Sequence, residues 1–244
     1  MVGETIDGTY RQTNLPNESK EYLAKREEIR LAEIELLKAR ERVAELRRQL
    51  PEGAILKDYE FVEGPASLDE GDAPARKVRL SELFTAPDRS LVIYHLMYGK
   101  KHTKPCPMCT SWIDSFNGIA HHLAQNVDFA VVAAADLPTL RAHARARGWD
   151  KLRLLSAGES SFKYDLGSED ADGGQDSTIS VFTRDKEGTL RHFYSVHPRI
   201  DENIRERGID EWNPIWNVLD MTPQGRGSWY ASLDYGTKVQ AARK

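Results

Sequence analysis

The segment HTKPCPMCTSW, residues 102–112, carries both cysteines of a 244-residue chain, Cys106 and Cys109. Thiols at i and i+3 stand one helical turn apart, close enough to close a small-ring disulfide. Three chemistries fit such a pair: reversible dithiol exchange, half of a metal clip, or inert packing. The neighbouring residues bear on the choice. Pro107 suits the first position of a helix, where it gives up no needed N–H donor. A cysteine just before it faces unpaired amides and the positive end of the helix dipole. Lys100, Lys101, His102 and Lys104 precede the pair and are expected to make its mouth positive. All of these favour the thiolate, which is the reactive form. Cys106 is therefore the expected nucleophile, with a pKa below the unperturbed value of about 8.5. Cys109, one turn inward, is the expected resolving thiol.

Other residues offer rival chemistry. A metal clip needs two more ligands, and neither a second C-x-x-C nor a spaced histidine pair is present. His121 and His122 are adjacent, so they point to different helix faces; His102 or His197 would have to reach the thiols through space. No metal and no cofactor are assigned. Thr103 fits the T-x-x-C arrangement of peroxiredoxins, in which a threonine hydroxyl and an arginine orient peroxide on the cysteine. The proline expected four residues before it is Gly99 here, and no arginine can be assigned from sequence. His95 lies inside an apolar strand and reads as a core group. Asp136 reads as a helix cap, and "DGGQD" (172–176) as a turn rather than a phosphate loop. Trp212, Trp216 and Trp229 read as core or interface.

The elements around the pair can be placed by periodicity. Residues 19–50 read as one charged helix, with Ser19 as cap and Pro51 and Gly53 as stop. Ile29, Leu36, Val43 and Leu50 recur at sevens along it, with Ala32, Ala39 and Leu46 between, a seam suited to another helix. Segments 1–53 and 54–244 are the expected division of the chain. Beyond it, "ILKDYEFVEG" and "RKVRLSEL" read as short strands. "SLVIYHLMYG" (90–99) is continuously apolar, so it should be central in a sheet. A helix over 107–125, a strand over 127–135 and a helix over 137–148 follow. The short strand "LRLLS" comes next, then a loop over 157–177. "TISVFTRDKEGTLRHFYSV" (178–196) reads as a hairpin turning near Asp185–Gly188, and "DEWNPIWNVLDMTP" as a last helix. This order, βαβαβ and then ββα on a mixed sheet, with the thiols between the first core strand and its helix, is the layout of an α/β thioredoxin-like fold.

Composition sets the context. Thirty-eight acidic against 34 basic residues give a net charge of −4, which argues against nucleic-acid or membrane partners. The polar N-terminus lacks the apolar core of a signal peptide, and no apolar run reaches the roughly 20 residues of a membrane span. A cytoplasmic location is expected, where paired cysteines serve catalysis or metals rather than structural disulfides. The apolar seam and the tryptophan-rich tail predict a homodimer.

The segments "LVIYHLMYG", "CPMCTSW", "SSFKYDLG", "VFTRDKEGTLRHFYS" and "WNPIWNVLDMTPQGRGSWY" together resemble a bacterial thioredoxin-like family of unknown function. Its members are labelled predicted dithiol-disulfide oxidoreductases. The likeness covers nearly the whole chain and implies Cys106 and Cys109 at the active site, with a disulfide-containing substrate or a thiol reductant as partner. Two departures from ordinary thioredoxins stand out. Pro105 replaces the tryptophan that precedes the first cysteine, and Ser177 or Thr178 stands where a cis-proline faces the pair. The expected activity is thiol–disulfide exchange; the alternatives are a thiol peroxidase using Thr103 and Cys106, and a metal-binding or interaction module. Supporting roles are assigned to Thr103, Pro107, Lys104, His102 and Ser177.

Overall fold

The computed structural model describes residues 15–203 and 207–235. The chain divides into two units, Met1–Pro51 and Glu52–Lys244. In the first, helix α1 runs Lys20–Arg48. The Ser19 hydroxyl caps it by accepting from the Tyr22 amide at 3.1 Å. Its flanks carry i,i+3 ion pairs such as Lys25–Glu28 and Lys38–Glu35, and none of its residues is buried.

The second unit is built on one mixed seven-stranded sheet. Its strands are β1 Glu60–Glu63, β2 Arg76–Arg79, β3 Leu91–Leu96, β4 Asp128–Ala133, β5 Arg153–Ser156, β6 Thr178–Arg184 and β7 Leu190–Val196, in the spatial order β2-β1-β5-β4-β3-β6-β7. Helix α2, Pro107–Leu123, connects the parallel pair β3 and β4, and α3, Leu137–Arg147, connects the parallel pair β4 and β5. β6 joins the free side of β3 antiparallel, and β7 folds back on β6. This is the thioredoxin-like arrangement.

The run that forms β3 is continuously apolar because both sheet faces are covered. Tyr94 and Leu96 enter one core with Trp112, Ile113 and Phe116 of α2, while Leu91 and Ile93 enter the other with Phe61, Phe162 and Phe182. Asp136 caps α3 by accepting from the Thr139 amide at 2.9 Å. Trp216, on helix α5 (Pro214–Asp220), is buried and meets Trp229 edge-on at 5.2 Å, whereas Trp212 stays partly exposed.

The structure corrects three sequence expectations. The 157–177 segment is not simply a loop, since it contains a short helix, α4, at Phe162–Asp165. Buried Phe162 draws that turn into the core, a long-range contact that local polarity does not announce. The second early strand stops at Arg79, and Leu80–Leu83 form a 3-10 turn whose two leucines are buried. Ile55 lies outside β1 and makes only an isolated bridge to Arg191.

The turn after β3 sets where the thiols go. Gly99 (φ +104°) and Lys100 (φ +52°) reverse the chain, and Gly99 and His102 exchange backbone hydrogen bonds of 2.7 and 2.9 Å. A Cβ on Gly99 would stand 2.1 Å from the Ala135 nitrogen. Gly99→Ala should therefore lower unfolding free energy by about 2–4 kcal/mol in urea titrations, since clash adds to positive-φ strain. Gly148→Ala, at φ +69° with nothing within 4 Å of the added carbon, should lose only about 1 kcal/mol. Equal losses would mean that close approach at Gly99 is relieved elsewhere.

Candidate functional site

The two cysteines sit at the junction of β3 and α2. Cys106 is the N-cap of α2, with Pro107 at the first helical position. Its amide donates to the Met97 carbonyl at 3.1 Å, which pins the helix start to the residue just past β3. The Cys106 carbonyl accepts from the Thr110 amide and hydroxyl, both at 3.0 Å. Most directly, the Cys109 amide points at the Cys106 sulfur, 3.5 Å away. The two sulfurs are not joined in a disulfide; Cys106 is half-buried and Cys109 fully buried.

A cleft of about 90 Å³ opens over them, lined by Met97, Met108, Trp112, Ser177, Arg199 and Tyr230 among others. The cleft wall also carries Asp176. Burial opposes ionisation of its carboxyl, yet the hydrogen bond from His197 (2.9 Å), the Ser177 amide (2.9 Å) and the Arg199 charge outweigh that and hold its pKa below the ordinary range.

Beneath the thiols lies a buried polar array. Burial pushes the Cys109 thiol well up, and the hydrogen bond and charge of Cys106 push it further. The Tyr94 hydroxyl is also pushed well up, by burial first and then by Cys109. It meets no partner at ordinary hydrogen-bond geometry, so its tie to the thiol is an electrostatic contact rather than a formed bond. Lys163 of α4 is 1% exposed. Among the described residues its ammonium reaches one hydrogen-bond acceptor, the Leu96 carbonyl at 3.4 Å. Burial brings its pKa down to about 7, against the opposing charges of Cys109, Glu169 and Asp176 and with a small push from Lys100. Its own backbone carbonyl accepts from Ser168 (3.1 Å), whose hydroxyl lies 2.6 Å from the His95 Nδ1. Burial keeps the His95 ring well below its ordinary pKa, helped by the Lys163 charge, and the ring stacks on Phe162.

The residues expected to support the cysteines are placed unevenly. Pro107 is at the helix start and Ser177 lines the cleft. Thr103 and Lys104 are exposed and outside that lining. His102 also lies outside it and accepts from the Gln175 amide at 3.1 Å. The expected positive mouth is not built as such. Lys100 pairs with Glu169 and Lys101 with Asp172 (3.3 Å), so the loop 169–176 takes up their charge, and the cation lining the cleft is Arg199. Among the described residues no group of three or more His, Cys, Asp or Glu is positioned to hold a metal ion. Among them, too, no helix is long and apolar enough to cross a membrane. Sequence reasoning passed over Lys163, Tyr94, Asp176 and Arg199. A lysine inside "SSFKYDLG" carries no local sign of burial.

Comparison with known proteins places the chain. The profile of a bacterial protein family of unknown function, DUF899, matches residues 12–240. The chain belongs to this family. No curated protein matches it. Solved structures similar to it include oxidized Prx3 from Vibrio vulnificus, at 20% identity and TM-score 0.41 over 59% of this chain and 88% of that one. AhpC from Mycobacterium tuberculosis is similar at 18% identity and TM-score 0.43, over 74% and 99% of the two chains. The reduced 2-Cys peroxiredoxin of Plasmodium vivax is similar at 16% and 0.43, over 69% and 94%.

The Lys163 environment has a thermodynamic signature in this DUF899 protein. An unfolded lysine titrates near 10.4, so between about 7 and that value the unfolded chain binds one more proton than the folded one. Stability conferred at this site must therefore rise with pH through that window and be flat below it. Relative to Lys163→Met, the wild-type unfolding free energy should gain about 2–3 kcal/mol between pH 7 and pH 9 in urea titrations. A pH-independent difference would mean that the ammonium stays charged in the fold.

Proposed function

We propose that this protein is a thiol–disulfide oxidoreductase in which Cys106 attacks and Cys109 resolves. One observation carries the reading: the Cys106 sulfur caps α2 and faces the Cys109 amide at 3.5 Å, half-exposed at the cleft, while Cys109 is buried behind it. The Cys106 thiolate attacks one sulfur of a substrate disulfide, forming a mixed disulfide and releasing the first substrate thiolate, which takes a proton from water. Cys109 then loses its proton, relayed through one water, to the neutral amine of Lys163, whose charge acts on that thiol. Its thiolate attacks the Cys106 sulfur, the mixed disulfide breaks, and the second substrate thiolate leaves. The substrate gains two electrons and the protein holds a Cys106–Cys109 disulfide. A thiol reductant returns it to the dithiol.

A buried lysine suits the second step. A proton acceptor with a pKa of about 7 is half neutral near neutral pH, the condition under which a general base works best. A cytoplasmic setting would supply the small thiols that close the cycle. A thiol peroxidase is the second reading, favoured by Arg199 in the same cleft. Against it, Thr103 is exposed and stands outside the lining of the cleft over Cys106.

Cys109→Ser should still attack a disulfide substrate and stall as a covalent adduct, whereas Cys106→Ser should neither turn over nor trap. Intact-mass spectrometry under non-reducing conditions reads both. Adducts on Cys109 in the Cys106→Ser protein, with none in the reciprocal variant, would reverse the roles. Peroxide consumption that survives Cys109→Ser, without disulfide reductase activity, would favour the peroxidase.

A further inference from the structure

The first unit holds one long helix and no second element among its described residues against which an apolar face could pack. A lone amphipathic helix gains little stability without such a face. Ile29, Leu36, Val43, Leu46 and Leu50 are all exposed along α1 and its end. They repeat as a heptad seam, with Ile29, Leu36, Val43 and Leu50 in one column and Ala32, Ala39 and Leu46 in the other.

The charges beside the seam say what would cover it. Most other charged residues of α1 are satisfied locally: Lys25 by Glu28, Arg30 by Glu27, Lys38 by Glu35 and Arg48 by Glu45. Glu33, Arg40 and Arg42 flank the seam and form no ion pair among the described residues. Two copies running antiparallel bring opposite columns together. Ile29 then meets Leu46, Leu36 meets Ala39 and Val43 meets Ala32, each large side chain mostly against a smaller one. In the same register Glu33 faces Arg40, and Glu35, which also holds Lys38 at 2.9 Å, faces Arg42; two-fold symmetry repeats each pair. The one like-charge contact, Arg26 against Arg47, falls near the ends, where Arg26 is already paired with Glu18 at 2.8 Å. A parallel pair fares worse, because it sets Glu28 on Glu33 and Arg42 on Arg47, and these like-charge contacts offset its two favourable ones, Glu21 on Arg26 and Glu35 on Arg40.

We infer that α1 is a self-association element, pairing antiparallel with α1 of a second copy over residues 29–46 through this seam and its Glu33–Arg40 and Glu35–Arg42 contacts. Sedimentation equilibrium of the full chain, under reducing conditions, tests both the partner and its direction. The wild type should dimerise with a concentration-dependent mass. Glu35→Arg and Arg42→Glu should each raise the dissociation constant at least tenfold, because each sets like charges across the axis, and the double variant should restore it. Strengthening by Arg42→Glu would instead indicate the parallel pair, in which that change faces Arg47, and would overturn the inference. So would a monomer at all concentrations, or a dimer indifferent to all three variants, since either would mean that something other than a second α1 covers the seam.

Discussion

The hydrogen bond from the Cys106 amide to the Met97 carbonyl joins the start of α2 to the end of the central strand. Much of the site follows from that join. With the helix start fixed there, Cys106 must cap it, and each residue turns about 100° around the axis. Cys109 is thereby carried to the inner face, beside Tyr94, while Cys106 stays at the cleft. Met97 meets both cysteines, since its amide faces the Cys109 sulfur while its carbonyl accepts from the Cys106 amide. The Gly99–Lys100 reversal makes the join possible, because only a residue without a side chain fits so close to Ala135. The difference between an exposed and a buried thiol thus comes from backbone geometry before any side chain acts on it.

Behind the pair, the fold tolerates an arrangement that opposes stability. A lysine inside a protein with one long hydrogen bond loses hydration without full replacement, and truncating it to an apolar group is often neutral or favourable. The Lys163 ammonium and the Cys109 sulfur interact through their charges, and burial holds that thiol protonated. Among the described residues no carboxylate forms an ion pair with the Lys163 ammonium, whose hydrogen bond goes to the Leu96 carbonyl. This is the expected pattern at a working site, where groups with displaced pKa values are grouped.

The sequence carried the frame of this site well and its floor poorly. β3 was legible because an apolar run longer than a half-exposed strand admits has one natural place, the sheet centre. The start of α2 was legible because proline and a capping residue occur together, and α3 because Asp136, Pro138 and Gly148 mark both ends. What escaped depends on contacts between distant segments. Lys100 and Lys101 look like a positive mouth until Glu169 and Asp172, some seventy residues away, fold over them. Lys163 looks like a solvated loop residue until Phe162 draws α4 into the core. Asp176 and Arg199 meet only when the segments before β6 and after β7 converge. Local patterns announce elements; they do not announce which charges those elements bring together.

The account rests on Cys106 and Cys109 acting as one reversible two-electron couple. A redox titration of the full chain against reduced and oxidised dithiothreitol, read by intact mass after acid quenching, tests that directly. The account predicts the reversible loss of two hydrogens across a single two-electron midpoint, abolished by Cys109→Ser. A protein that forms no internal disulfide at any poise would contradict it.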